Sequence, residues 1–188
     1  MTIIIRQAQK EDAGAISPLI YEAIGNIAHR LTGVQKEQTI LTELAQLVTL
    51  TSNRHSYLNT FVAIREAQIL GIVVLYDGLQ GALLDQQLEL LLLGKFGQAE
   101  PIEKEAHDDE FYIDTVCVAP EARGMGLGTK LLQFAEQTAR EKGYTKLSLN
   151  VELENQAARE LYERLGFKVT EQWTIINKPF HHMVKDLD

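Results

Sequence analysis

Apolar residues recur along this chain in two rhythms, and the switches between them divide it into elements. A short β-branched run over residues 2–6 reads as a strand. Behind it Ala13, Ile16, Leu19, Ile20, Ala23 and Ile24 fall on a helical period. Glu11 and Asp12 stand where a helix N-terminus favours carboxylates, and Pro18 is placed to kink the helix. After Gly25-Asn26 and a loop ending near Gly33, Ile40, Leu41, Leu44, Leu47 and Val48 predict a second helix over 36–50. Residues 51–59 are polar and read as loop. Thr60 to Arg65 and Gln68 to Tyr76 read as two strands around a tight turn at Glu66-Ala67, with a bulge expected at Gly71.

Leu79, Leu83, Leu84, Leu88, Leu91 and Leu92 then form an apolar stripe that predicts a helix ending near Gly94. A loop with five acidic residues between Glu103 and Glu110 follows. Phe111 to Val118 is β-branched and aromatic over the length of one buried strand, which Pro120 ends because it has no N–H for a ladder. A turn dense in glycine, with Gly124, Gly126 and Gly128, leads into Leu127, Leu131, Ala135 and Thr138 on a helical period, closed near Gly143. Lys146 to Val151 reads as a strand, Asn155 as the N-cap of a helix over 156–165, and Gly166 as its stop. Phe167 to Ile176 and Phe180 to Leu187 read as a closing antiparallel pair around Asn177-Lys178-Pro179.

Composition narrows the picture. A chain of 188 residues without repeat or linker is expected to be one domain, 1–188, with a sizeable core. The net charge of −8 argues against a nucleic-acid backbone binder and mildly favours a cationic substrate. One cysteine, Cys117, leaves no internal disulfide and suits a reducing compartment. The N-terminal M-T-I-I-I-R-Q lacks the pattern of a signal peptide, and the leucine-rich run at 88–93 is too short to span a bilayer. A cytoplasmic protein without membrane contact is expected.

The chemistry centres on residues 111–130. Strand, glycine-rich turn and helix together bind phosphate: the first helical N–H groups have no internal partners, and the helix dipole adds to their pull on an anion. Arg123 adds fixed positive charge and Thr129 a hydroxyl, so a pyrophosphate fits. A P-loop needs Gly-Lys-Ser/Thr where the chain has Gly128-Thr129-Lys130, and a dinucleotide fingerprint needs a glycine where Thr129 stands. Neither is met, which disfavours a nucleotide-dependent oxidoreductase. Cys117 sits mid-strand between valines, as a small buried residue does. The neighbours His181 and His182 point to opposite strand faces, so no metal site is expected from them.

What the turn does match is R-x-x-G-x-G, through Arg123, Gly126 and Gly128 directly after V-C-V-A-P, with N-x-x-A-x-x-L-Y-x-x-x-G-F downstream through Asn155, Ala158, Leu161, Tyr162, Gly166 and Phe167. In order and spacing the pair resembles the GCN5-related N-acetyltransferase (GNAT) family over residues 111–170, and more weakly at the N-terminus. The resemblance implies an α/β (α+β) fold, a mixed, twisted, mostly antiparallel sheet flanked by helices. It implies acetyl-CoA as co-substrate and a primary amine of a small molecule as acceptor. The alternatives are a protein N-terminus or lysine, and an acyl-CoA-binding module without turnover. In most relatives a short turn stands where residues 78–110 lie, so these read as a helical insertion. It either closes the core over the sheet, or forms a lid on the acceptor site or a homodimer contact.

The resemblance also assigns roles. Arg123, Gly124, Met125, Gly126, Leu127, Gly128 and Thr129 would hold the pyrophosphate. Val116, Cys117 and Val118 would lie where the strand splays from its parallel neighbour, receive the pantetheine arm and offer an N–H to the thioester carbonyl. Asn155 would hold the pantetheine and Tyr162 protonate the departing sulfur; seven residues apart, they share a helix face. From the residues themselves, the candidate base, acting alone or through water, is Asp114, which interrupts an apolar strand and by alternation shares a face with Tyr112, Val116 and Val118; Glu110 on that face is the second candidate. The alternative use of either carboxylate is to hold the substrate's cation or make a structural hydrogen bond.

Overall fold

The computed structural model describes residues 2–187. Its elements run β1 (Ile4–Gln7), α1 (Ala13–Ile24), α2 (Ile27–Thr32), α3 (Glu37–Thr49), β2 (Thr60–Arg65), β3 (Gln68–Asp77) and α4 (Gly78–Phe96), then β4 (Phe111–Val118), α5 (Leu127–Glu141), β5 (Lys146–Glu152), α6 (Gln156–Arg164), β6 (Lys168–Ile175) and β7 (Lys178–Asp186). The seven strands form one sheet in the order β1-β2-β3-β4-β5-β7-β6. Every neighbouring pair is antiparallel except β4 and β5, which α5 joins as a parallel crossover.

Alternating side chains feed a core on each side of the sheet. Leu70, Val73, Ile113, Leu147, Leu149 and Met183 pack with Leu127, Leu131 and Ala135 of α5 on one face. Val62, Ile72 and Cys117 pack with Ile16 and Ile20 of α1, Leu31 of α2, Ile40 and Leu44 of α3 and Leu88 of α4 on the other.

Several expectations are corrected. The stretch before Gly33 holds the short helix α2, which Gly33 closes in a left-handed conformation. The closing hairpin turns at Ile176-Asn177, both with positive φ, as a two-residue turn requires; Pro179 already lies in β7 opposite Thr174. Helix α4 runs past Gly94 to Phe96. Of its leucines only Leu88 and Leu92 are buried, whereas Leu79, Leu83 and Leu91 are exposed. The stripe is therefore not one buried face; the polar Asp85 faces inward instead. A strap, residues 98–110, returns from α4 to β4.

Gly71 does mark a bulge: the register passes from Ala63↔Gly71 to Ile64↔Ile69 and leaves Leu70 extra. A second bulge was not readable. Between β3 and β4 the register passes from Val74↔Thr115 to Leu75↔Ile113, which leaves Asp114 extra. Parity flips there. Ile113 packs in the α5-side core, and so do Val116 and Val118, an odd number of residues later, while Tyr112 packs on the opposite side with Tyr76 and Ala106. Plain alternation through Asp114, which put Val116 and Val118 on the face of Tyr112, fails for this reason.

Candidate active site

The parallel pairing of β4 with β5 stops early. Phe111, Tyr112 and Ile113 pair with Leu147, Ser148 and Leu149, and the register ends there, at the Asp114 bulge. Beyond it the strands part around a cavity of about 420 Å³. Asp114 to Val118 line one side, Leu149 to Glu152 the other, and Asn155, Ala158 and Tyr162 of α6 close one flank. Backbone groups of β4 on the β5 side are thus released from the sheet and await another partner.

At the mouth stands the glycine-rich turn. Gly124 and Gly126 take φ of 76° and 72°, a left-handed backbone that favours glycine; Gly128 does not. Gly126 is the N-cap of α5, which has no side-chain cap and no acidic residue in its first turn. The helix thereby offers uncapped N–H groups and its positive end. The Met125 side chain is exposed, and that of Leu127 is buried in the core. Arg123 lines the cavity, donates Nε to Val118 O at 3.2 Å and pairs with Glu22 of α1.

Asn155 Oδ1 caps α6 by accepting from Ala158 N at 3.2 Å. Asn155 and Tyr162 both reach the cavity, as their spacing requires. Burial raises the Tyr162 phenol, which keeps it protonated at neutral pH. Cys117 turns into the helix-packed core on the other side, and burial pushes its thiol up to about 11. It has no thiolate to act as a nucleophile.

The inner end of the cavity is polar, and the sequence did not announce it. Arg54 and His55, from the loop between α3 and β2, are buried there with Asp114, Tyr112 and Glu105 of the strap. Arg54 donates Nε and Nη2 to Asp85 Oδ1 at 2.9 and 2.7 Å, and Nη1 to Glu105 Oε1 at 2.6 Å and Asp114 Oδ2 at 3.2 Å. Asp114 accepts further from Tyr76 OH at 2.9 Å and Thr115 Oγ1 at 2.8 Å. Burial works to raise the Asp114 carboxyl, but Arg54 and then His55 outweigh it and hold it far below the usual carboxylate range. Asp114 is on the wall as expected. It is a fixed charge there, poorly suited to take a proton itself.

Glu110 is corrected more fully. It lies off the cavity wall, at the end of the strap, where both oxygens meet His182 Nε2 at 3.1 and 3.0 Å and Oε2 accepts from His107 N at 3.0 Å. Burial alone would raise its carboxyl; the bonds from His182 and the His107 amide prevail and hold it at about 2. His182 Nδ1 in turn meets Asn150 Oδ1 at 2.7 Å, and its ring stacks on Trp173 at 4.5 Å. His181, on the other face, meets Arg159 of α6. His107, Glu110 and His182 do bring possible ligand atoms within 4.8 Å of one another. These side chains are already bound to each other, to Asn150 and to Glu171.

Residues 24–167 match the family model described as the acetyltransferase (GNAT) family. Among curated proteins, GCN5-related N-acetyltransferase 6, chloroplastic, of Arabidopsis thaliana is 37% identical over 70 residues, 37% of this chain and 24% of that protein. The 5-NmdU N-acetyltransferase of Pseudomonas phage PaMx11 is 46% identical over 54 residues, 29% of this chain and 36% of that protein. The chain thus matches well under half the length of these curated relatives. Whole-length likeness comes from solved structures. A crystal structure of an acetyltransferase is 34% identical at a TM-score of 0.80, covering 98% of this chain and 100% of that one. The N-acetyltransferase from Staphylococcus aureus Mu50 is 27% identical at 0.81, covering 96% and 99%. No helix among the described residues is long and apolar enough to cross a membrane. A parted parallel pair beside an uncapped, glycine-led helix, a family model over residues 24–167 and an end-to-end structural relative at 34% identity agree: the chain belongs to the GNAT family of N-acetyltransferases.

Proposed function

We propose that the protein transfers an acetyl group from acetyl-CoA to a primary amine of a small molecule by direct attack. The observation that carries this is the early end of β4–β5 pairing at Ile113↔Leu149, which frees strand backbone along a cavity that Asn155 and Tyr162 also line. The turn from Arg123 to Thr129 holds the pyrophosphate through its backbone N–H groups. The pantetheine arm takes the place of the missing strand neighbour along Val116, Cys117 and Val118, with the Asn155 amide donating to it. A backbone N–H of the parted β4 faces the thioester oxygen, a contribution on the order of 3 kcal/mol for a preorganised donor. Tyr162 protonates the departing sulfur.

Carboxylates favour a cationic acceptor. Glu105 and Asp114 stand at the inner end with Asp85 behind them, against the single guanidinium of Arg54. A small acceptor is favoured because the strap, held through Glu105 to Arg54 and Tyr112 OH, walls this end beside Ile27 and Leu31 of α2. The exposed leucines of α4 suit a homodimer, which sedimentation velocity measures directly.

The test is thiol release from acetyl-CoA with spermidine, kanamycin, free lysine and short peptides bearing a free N-terminus, against an enzyme-only control. Release with the small amines and not the peptides is expected. Release with peptides alone makes the protein a polypeptide acetyltransferase. Thermal stabilisation by CoA without release makes it a binding module.

A further inference from the structure

Residues 51–59 connect two elements, yet the middle of this loop is packed like core. Asn53, Arg54, His55 and Ser56 are each at most 2% exposed, although connecting segments ordinarily run over the surface because their backbone needs water. Side chains replace that water. Asn53 Nδ2 donates to Leu47 O at 2.8 Å, and its Oδ1 accepts from His55 N at 2.9 Å. Asn59 Nδ2 reaches the carbonyls of Asn53 and Arg54 at 3.2 and 3.3 Å. Ser56 Oγ accepts from Leu58 N at 3.1 Å, and Thr60 Oγ1 donates to Ser56 O at 3.0 Å. The loop is a rigid mount, and what it mounts on the cavity wall is Arg54 and His55.

Arg54 is fully paired there; His55 is not. Its Nε2 lies 3.2 Å from Asp114 Oδ1, at an angle short of a well-formed hydrogen bond, and its Nδ1 has no hydrogen-bond partner among the described residues. A buried polar atom left without a partner costs about 1–3 kcal/mol, so native proteins seldom keep one without a use. His55 is one of the residues that line the cavity the acceptor would enter.

We infer that His55 is the general base of the transfer, with Asp114 as its positioning residue. The inference rests on the acetyl transfer proposed above. Asp114 faces Nε2 and favours the proton there, which leaves the lone pair on Nδ1. An N–H bond of the acceptor's ammonium breaks, its electron pair stays on nitrogen, and the proton goes to Nδ1. That pair forms the C–N bond to the thioester carbon, and the C–S bond breaks with its pair on sulfur. Tyr162 protonates the sulfur and regains a proton from the amide nitrogen, while the imidazolium returns its own to solvent. The charged and titratable groups around His55 and Asp114 are Tyr76 of β3, Arg54 of the same loop, Glu105 of the strap and Asp85 of α4.

The test uses the panel amine that the wild type turns over, with acetyl-CoA binding as the control for folding. In His55→Ala, kcat/KM is expected to fall roughly 100-fold or more, the range of a lost general base. The acid limb of its pH profile is expected to vanish, with acetyl-CoA affinity kept and added imidazole restoring part of the rate. His55→Gln, closer in size and polarity, is expected to show the same loss. Turnover within about twofold of wild type with the acid limb intact, in either variant, overturns the assignment. So does an equal loss that keeps the wild-type pH profile and gains nothing from imidazole, since a structural role behaves that way. A wild type that releases thiol with no amine fails at the transfer reaction itself, a different failure from that of His55.

Discussion

Glu110 and Asp114 are carboxylates four residues apart, and each is ionised by a different partner. Asp114 owes its charge to Arg54 on the cavity wall, and Glu110 owes its own to His182 and an amide at the end of the strap. For Glu110 the folded value of about 2 lies below the reference 4.5. Its stabilisation is therefore present above pH 4.5 and lost as pH falls through 2, on the order of 3 kcal/mol in full. Glu110→Gln is expected to be less stable than wild type at pH 7 by up to that amount. Urea unfolding should show the two proteins converging as pH drops from 4.5 toward 2. At Tyr162 the hydroxyl is the only difference tested by Tyr162→Phe. That variant is expected to lower kcat about 10- to 100-fold when chemistry is limiting, while acetyl-CoA affinity, read by calorimetry, stays unchanged.

At the scale of elements, α4 and its strap depart most from a plain sheet-and-helix frame. Leu88 of α4 is fully buried and Leu83 is 54% exposed. Leu88→Ala is expected to cost about 2–5 kcal/mol and Leu83→Ala less than about 0.5 kcal/mol by chemical denaturation. Equal costs would mean that α4 packs by another face. The start of the helix is tighter still. Gly78 N donates to Glu110 O at 2.9 Å, and a Cβ on Gly78 would fall 2.0 Å from His107 O. Backbone meets backbone there, so Gly78→Ala must displace the strap. A lowered thermal midpoint is expected, with faster proteolysis confined to residues 98–110.

Across the whole molecule, Arg54 is where distant parts meet. One guanidinium at the inner end of the cavity gathers Glu105 of the strap and Asp114 of β4 there, and Asp85 of α4 behind them. Removing the cation from a buried group of this kind leaves carboxylates uncompensated, a loss of about 3–5 kcal/mol. Arg54→Ala is expected to lose that much stability by urea unfolding. Burial already lifts Asp85 to about 6 in spite of Arg54, so in the variant these carboxyls should protonate more readily, and acidification toward pH 5 should recover part of the loss. A variant as stable as wild type at pH 7 would show that the strap is held by something else.

What the sequence determined by itself was set by near neighbours, though the short helix α2 and the turn at Ile176-Asn177 escaped it. Periodicity located the strands and the longer helices, because a side chain's direction repeats every two or 3.6 residues. The glycine-led turn at Gly124 and Gly126, the Asn155 cap and the seven-residue step from Asn155 to Tyr162 are local geometry as well, and all were legible. Tertiary structure alone decided the rest. The bulge at Asp114 shifts parity by one residue, and a lone polar residue in an apolar strand does not by itself signal a bulge, so Val116 and Val118 changed face unannounced. Glu110 left the cavity because His182, 72 residues later, reaches it at the end of the strap. The leucine stripe of α4 could not say which of its sides the sheet would cover, because all-round apolarity has no direction. Arg54 and His55 read as ordinary loop residues. Their role rests on partners as far as 60 residues along the chain, and only packing brings those together.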